Sequence, residues 1–329
     1  MKLSDFDYHL PKELIAQYPL KERDAARLMV LDRKNKHIRH DSFANITDYF
    51  HKADLLVLND TRVIPARLFG FRKTGGKVEV LLLKCKEGLK FEAMLKPARL
   101  KLNEKIIFDG GKMYAEVTGR QELNFSAKDL DEIYRQGVMP LPPYIKRRAE
   151  GLDDVYYQTV YSRRGGSVAA PTAGLHFTQS LLETIKSCGV NIAYVTLHVG
   201  PGTFRPVKNE DITMHIMDPE TFNIPQEAVE LISKTRTSGG RVFAVGTTSL
   251  RALETFTAGK TQGLTDLFVY PGYKFKLVDC LLTNFHLPRT TLFMLVAALA
   301  GTDFIRKAYQ EAIEEKYRFY SYGDAMLII

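Results

Sequence analysis

No apolar run in this chain approaches the ~20 residues that a membrane-spanning helix needs. The longest, residues 292–300, reads as a buried helix. No secretory leader is visible either, because the N-terminus (Lys2, Ser4, Asp5, Asp7) is polar and acidic from its first residues. Cysteine is scarce: Cys85, Cys188 and Cys280 are odd in number and lie in apolar segments. They are expected to be reduced core residues of a cytosolic protein rather than a disulfide framework or a metal site. There is no internal repeat and no low-complexity tract. Neither a P-loop nor a GxGxxG fingerprint is present, which removes the two commonest nucleotide-binding signatures.

What is present is a chain of 329 residues, 45% apolar, enough for about two domains with real cores. The formal net charge of +8 favours a polyanionic partner. No long exposed apolar stripe is evident, so a monomer is expected.

The texture changes twice along the chain. Residues 28–31 and 55–58 read as strands, the second ending at Asn59 and Asp60, with a helical pattern over 43–50. From 62 onward, short strands at 78–83, 91–95, 106–108 and 114–117 alternate with glycine turns, a spacing that predicts a barrel or sandwich. A helical stretch at 130–136 and the stiff Pro140-Leu141-Pro142-Pro143 close this block. After 154 an α/β texture resumes. Helices are expected at 178–186 (capped by Thr178), 226–234, 250–256, 292–300 and 304–317, with strands at 191–199 and 241–245. The expected fold is α/β: a large mixed α/β domain (1–61 with 154–329) interrupted by a small inserted all-β barrel domain (62–153).

Three strand ends run into polar residues and then toward a helix or turn: Leu197-His198-Val199-Gly200, Val245-Gly246-Thr247-Thr248-Ser249, and Thr283-Asn284-Phe285-His286-Leu287-Pro288. The C-terminal ends of strands are where α/β proteins place ligands, so one shared site is predicted. The glycine and hydroxyls of 246–249 suit a carboxylate or a phosphate, or else form an ordinary capped turn. Arg251 and Glu254 follow one turn apart, as a surface ion pair would. His198, before the turn 200–204, is either a general base or a hydrogen-bonded core residue. His286 invites the same two readings, and its Asn and Pro neighbours favour a site. The small-residue stretch 165–177, ending in His176, suits a loop that admits a ligand close to the backbone. His215, Asp218 and Glu220 are a loose set whose spacing Pro219 breaks, so no metal is predicted. Basic residues cluster at Arg62, Arg67, Arg72, Lys73, Lys146, Arg147, Arg148, Arg163 and Arg164, near Tyr144, Tyr156, Tyr157 and Tyr161. Cations beside stacking rings favour RNA.

Taken in order, Asp7 to Pro11, Asp24 to Leu28, Arg62 to Leu68, Pro140 to Lys146, Ala169 to Thr178, His198 to Pro206, Val245 to Arg251, Pro271-Gly272-Tyr273, Thr283 to Pro288 and 317–328 resemble the S-adenosylmethionine:tRNA ribosyltransferase-isomerase family of queuosine biosynthesis across nearly the whole chain. The resemblance implies a large α/β domain interrupted by a β-barrel. It also implies a reaction: the ribosyl part of S-adenosylmethionine moves onto 7-aminomethyl-7-deazaguanine at the tRNA wobble position and rearranges to give epoxyqueuosine, with adenine and methionine released. On that footing His198 and His286 are candidate acid/base groups, and His176, Thr172 and Asn284 candidates for orienting ribose or adenine. Thr247, Thr248 and Ser249, supported by Arg251, would hold the methionine carboxylate or a tRNA phosphate. The RNA-facing candidates are Arg62, Arg67, Lys146, Arg147, Arg148, Arg163 and Arg164. Two departures stand out. Asp218 occupies a place where the family carries a second histidine, and the segment 257–265 is shorter than usual. Two other readings compete: an S-adenosylmethionine-dependent RNA methyltransferase, which the absence of an acidic-Gly-x-Gly strand end disfavours, and a non-catalytic RNA-binding protein, which would leave the strand-end residues without a purpose.

Overall fold

The computed structural model describes residues 1–200 and 207–329, so the 201–206 part of the expected glycine–proline turn lies outside the described residues. At its centre is the strand Leu55–Asn59, whose five residues are all buried. Such a run belongs in the middle of a parallel sheet covered on both faces. Asn191–Leu197 and Val242–Val245 flank it in parallel, and Cys280–Asn284 lies parallel beyond Val242–Val245. Ala325–Ile328 then runs antiparallel to Cys280–Asn284 and parallel to Arg27–Asp32, which pairs with His37–Ser42. At the other edge Glu220–Asn223 and Gln262–Thr265 complete nine strands.

The period-2 alternation of strands sorts their side chains into two cores. Leu55, Val57, Val242, Ala244, Leu281 and Met326 face one core, which is covered by helices Gln226–Thr237, Gly246–Phe256, Thr291–Ala300 and Thr302–Glu314. Leu56, Leu58, Phe243, Val245, Leu282 and Leu327 face the other, under the 3-10 segment Phe43–Tyr49 and helix Gln179–Ser187. Thr178 caps the latter helix, as expected, by accepting from the Leu181 N–H at 3.1 Å.

The expected β-rich insertion is a closed barrel. Arg67–Arg72, Lys77–Cys85, Lys90–Lys96, Glu122–Phe125, Met113–Gly119 and Lys105–Phe108 pair antiparallel in that order, and Lys105–Phe108 returns to Arg67–Arg72. A short strand, Gly137–Val138, pairs with Arg67–Arg72. Met139, Leu141, Tyr144 and Ile145 pack into the large core, whereas Val168 packs into the barrel's.

Four expectations change. Arg67–Arg72 carried no strand signal because its pattern is inverted: Leu68 and Gly70 point inward and Phe69 and Phe71 outward. The stretch 165–177 is not an open loop, since Arg164–Ser167 pairs in parallel with Thr61–Val63 and Thr172–His176 forms a 3-10 turn. The helix expected to begin at 250 begins at Gly246, so Thr247, Thr248 and Ser249 form its first turn. Cys85 and Cys188 are exposed, and only Cys280 is a core thiol. No helix among the described residues is long and apolar enough to cross a membrane.

Barrel closure depends on Gly70. A Cβ there would sit 2.7 Å from Ile106 Cγ2 and from Phe108 Cε1, and 2.9 Å from the Ile107 carbonyl oxygen. Gly70→Ala should therefore lower stability by about 1–3 kcal/mol through overpacking, measured by denaturant unfolding. A change under a few tenths of a kcal/mol would show that the seam can widen freely.

Candidate active site

The parallel strands Leu55–Asn59, Asn191–Leu197, Val242–Val245 and Cys280–Asn284 all present their C-terminal ends to one edge of the sheet. The edge opens there because Asn59 replaces the ladder. Its Nδ2 donates to the Leu197 carbonyl (2.9 Å) and to Thr248 Oγ1 (3.1 Å). Its Oδ1 accepts from the backbone N–H of Leu197 (3.0 Å) and Thr61 (3.1 Å). One fully buried amide thus satisfies groups that separating strands would leave unpaired.

The resulting cleft is concave and open to solvent. Thr172, Thr247, Thr248, Asn284 and His286 line it, together with the aromatic wall of Tyr144 and Tyr320. The helix Gly246–Phe256 starts at this wall with no side-chain cap, so its first N–H groups remain available to an anion. Ser249 does not share in this: its hydroxyl donates to the Val245 carbonyl at 2.7 Å inside the helix. Arg251 is also committed elsewhere, buried against Glu220 in an ion pair and donating through Nε to the Leu267 carbonyl at 3.0 Å. Nor does it pair with Glu254. That carboxylate is buried and accepts from the backbone N–H groups of Lys276, Leu277 and Val278.

Asn284 is held from both sides. Thr172 Oγ1 donates to its Oδ1 at 2.8 Å, and its Nδ2 donates to His176 Nε2 at 3.2 Å. His176 stands behind Asn284 rather than in the cleft, against the Phe43 ring, and burial pushes its pKa down to about 4. It is therefore a neutral acceptor at neutral pH. His286 lines the cleft itself, with Nε2 2.9 Å from Thr283 Oγ1. Its backbone N–H donates to the Tyr309 hydroxyl, and its carbonyl accepts from Tyr8. Burial pushes its imidazole down to about 3.

His198 differs from both. It is only half-buried, with Nδ1 2.8 Å from Thr61 Oγ1, and Gly166 lets the ring lie close to the backbone. Burial lowers its pKa, while the Asp60 carboxylate works the other way. It faces a second space of about 1520 Å³ between the sheet and the barrel, lined also by Asp218, Glu220, Lys84 and Glu92. Val199, its neighbour in sequence, lines both spaces.

Of the RNA-facing candidates, Arg62, Lys146, Arg148, Arg163 and Arg164 are exposed. Arg67 pairs with Glu79, Arg147 grips Asp153 through two 2.7 Å bonds, and Arg164 donates to Asn223 at 3.1 Å. His215 packs on Phe268, and no cluster among the described residues could hold a metal ion.

Sequence reasoning missed Tyr320. It holds a left-handed backbone (φ 73°), its ring lies 4.3 Å from Tyr144's, and its buried hydroxyl has no hydrogen-bond partner among the described residues. It lies within the 317–328 stretch that resembles the family, but nothing in that stretch singles out this tyrosine. Asn59 had a weak signal, as a polar residue ending an apolar strand.

A family profile described as "Queuosine biosynthesis protein" matches residues 3–328. A relative from Sulfurihydrogenibium sp. (strain YO3AOP1), named S-adenosylmethionine:tRNA ribosyltransferase-isomerase, is 56% identical, with all of both chains covered. The crystal structure of S-adenosylmethionine tRNA ribosyltransferase from Thermotoga maritima is 40% identical with a TM-score of 0.59, covering 99% of this chain and 100% of that one.

Two outcomes follow from this geometry. Asn59→Ala strips partners from three buried backbone groups and should cost at least about 2 kcal/mol in denaturant unfolding. A loss below ~0.5 kcal/mol would mean that water replaces the amide. The pH dependence has a definite sign. Above the ordinary histidine value of 6.5, His176 and His286 are neutral folded or unfolded and contribute no slope. As pH falls below it the unfolded chain takes up protons that the folded chain refuses until about 4 and about 3. Stability should therefore drop by up to about 1.4 kcal/mol per pH unit per histidine between pH 6.5 and 4. His286→Asn should flatten that slope in melts run across this range, and an unchanged slope would place the proton uptake elsewhere.

Proposed function

The chain belongs to the queuosine biosynthesis protein family, and from that premise we infer that its cleft transfers and isomerises the ribosyl part of S-adenosylmethionine onto 7-aminomethyl-7-deazaguanine at the wobble position of tRNA, releasing adenine and methionine and leaving epoxyqueuosine. The observation that carries the division of labour is the meeting of two spaces at Val199, with His198 beside it. S-adenosylmethionine occupies the strand-end cleft, and the tRNA base enters from the barrel side.

In this reading the methionine carboxylate rests on the uncapped helix start at Gly246, Thr247 and Thr248, where N–H groups and the helix dipole favour an anion. Asn284, locked by Thr172 and His176, hydrogen-bonds ribose or adenine. His176 acts as a positioning residue, since Asn284 stands between it and the cleft. The sulfonium acidifies the adjacent C–H, and a base must take that proton. His286 is a weak base because burial opposes its charged form, so it serves as a neutral hydrogen-bonding group. His198 keeps solvent contact and an attractive carboxylate nearby, and it is the better base for the C–H or for the aminomethyl nitrogen that attacks. Adenine leaves more readily when a donor meets its ring nitrogen. The Tyr320 hydroxyl, buried and unpaired at the cleft, is placed to be that donor.

The direct test incubates the protein with S-adenosylmethionine and an anticodon stem-loop carrying the aminomethyl base. Free adenine and methionine should appear together with a mass gain on the RNA. S-adenosylhomocysteine in their place would make the protein a methyltransferase. His198→Ala should lower kcat by about 10²–10⁴, and unchanged turnover would remove His198 from the mechanism. Tyr320→Phe should leave the melting temperature of the free protein unchanged or raised while lowering kcat by about 5–10-fold. A lower melting temperature with unaltered kcat would mark the hydroxyl as structural.

A further inference from the structure

The barrel concentrates the charge of the chain. Residues 62–138 hold 16 Lys and Arg against 10 Asp and Glu, +6 of the total +8. On this basic body the strand Arg67–Arg72 turns its aromatic side chains outward, leaving Phe69 58% and Phe71 50% exposed. Phe71 lies directly opposite Lys77 on one neighbouring strand and Ile107 on the other, and Ile107 lies opposite Tyr114. Directly opposed residues share a face of the sheet. Phe69, Phe71, Ile107 and Tyr114 thus form a strip across three strands, bordered by Lys77 and by Lys105, whose Nζ sits 4.1 Å from the Tyr114 ring centre. Two carboxylates share this face, Glu79 opposite Phe69, where Arg67 pairs with it, and Glu116 opposite Lys105, so the excess of positive charge belongs to the barrel as a whole.

Interior packing does not account for this strip, because the barrel core is filled from the opposite face by Leu68, Val78, Ile106 and Ala115. We propose that it is a docking platform for unpaired nucleotides of the tRNA, distinct from the base that reacts. Phe69 and Phe71 stack on bases while Lys77 and Lys105 meet phosphates. The proposal rests on the reading of tRNA as substrate. Exposed rings on a sheet face offer stacking to any base, and flanking cations supply the salt-dependent attraction of the backbone. Charge decides between occupants. A second copy would bring the same lysines against these, whereas a polyanion complements them.

The test uses the full chain with Phe69→Ala and Phe71→Ala together. The dissociation constant for tRNA is measured by fluorescence anisotropy at fixed salt, beside the melting temperature and the KM values for tRNA and S-adenosylmethionine. The platform predicts tRNA binding at least about 10-fold weaker, KM for tRNA raised in step, and KM for S-adenosylmethionine and the melting temperature unchanged. Phe69→Tyr with Phe71→Tyr should restore binding, and Lys77→Ala should reduce the slope of log affinity against log salt. tRNA affinity within twofold of wild type would overturn the proposal. So would a variant that shifts a dimer to monomer in sedimentation with tRNA affinity intact, which would make the strip an interface between copies. Weaker tRNA binding in the variant, with no adenine released by the wild type, would uphold the platform while removing the ribosyl-transfer reading.

Discussion

The molecule turns on the side-chain amide of Asn59. Two parallel strands can diverge to admit a ligand only if something else satisfies the backbone groups they abandon. At this edge the ladder between Leu55–Asn59 and Asn191–Leu197 ends at Val195 opposite Asn59. From there the amide takes both the N–H and the carbonyl of Leu197 and reaches across to Thr248. The cleft, the start of the helix at Gly246 and the exit of the chain toward His198 all depend on that one group. It is a polar residue in the least exposed part of the fold, tolerated because each of its hydrogen bonds is made.

Burial then differentiates three histidines that are chemically identical in the sequence. His176 and His286 are enclosed, so their charged forms are expensive and they stay neutral, one bracing Asn284 and the other presenting a neutral ring to the cleft. His198 keeps a foot in solvent beside Asp60 and Thr61. The same logic removes Arg251 and Ser249 from the ligand's reach. A guanidinium that is 3% exposed must be paired, and Glu220 pairs it; a hydroxyl inside a helix finds the carbonyl one turn back.

The two β-systems divide the work. The central strands of the large sheet, buried on both faces, are a rigid frame for a small cleft. The barrel, buried only inside, has an outer face free to carry charge and rings. Between them lies the space lined by His198, Asp218 and Glu92. Asp218 lies against this space and not in the strand-end cleft.

Much of this was legible in the amino-acid order. Apolar runs of four or five residues must be covered on both faces, so 55–58 and 242–245 announced buried strands of a mixed α/β domain, and polar residues just beyond them announced its ligand edge. Closely spaced short strands with glycine turns announced the barrel, and Thr178 with Gly189 bounded a helix. These are local signals, set by period and turn chemistry over a few residues. What they could not carry was which side of a strand faces in, and what a polar group meets across the fold. Phe69 and Phe71 lie in a strand the sequence did not announce and are surface, because the barrel puts Leu68 and Gly70 inside. Arg251 and Glu254 read as a surface pair and are buried apart, because their partners, Glu220 and the 276–278 backbone, come from elsewhere in the chain. Asn59 meets Leu197 and Thr248 across more than a hundred residues of sequence. Local order determined the elements and the edge where chemistry belongs; only tertiary contact decided which polar groups were consumed by the frame and which remained free to act.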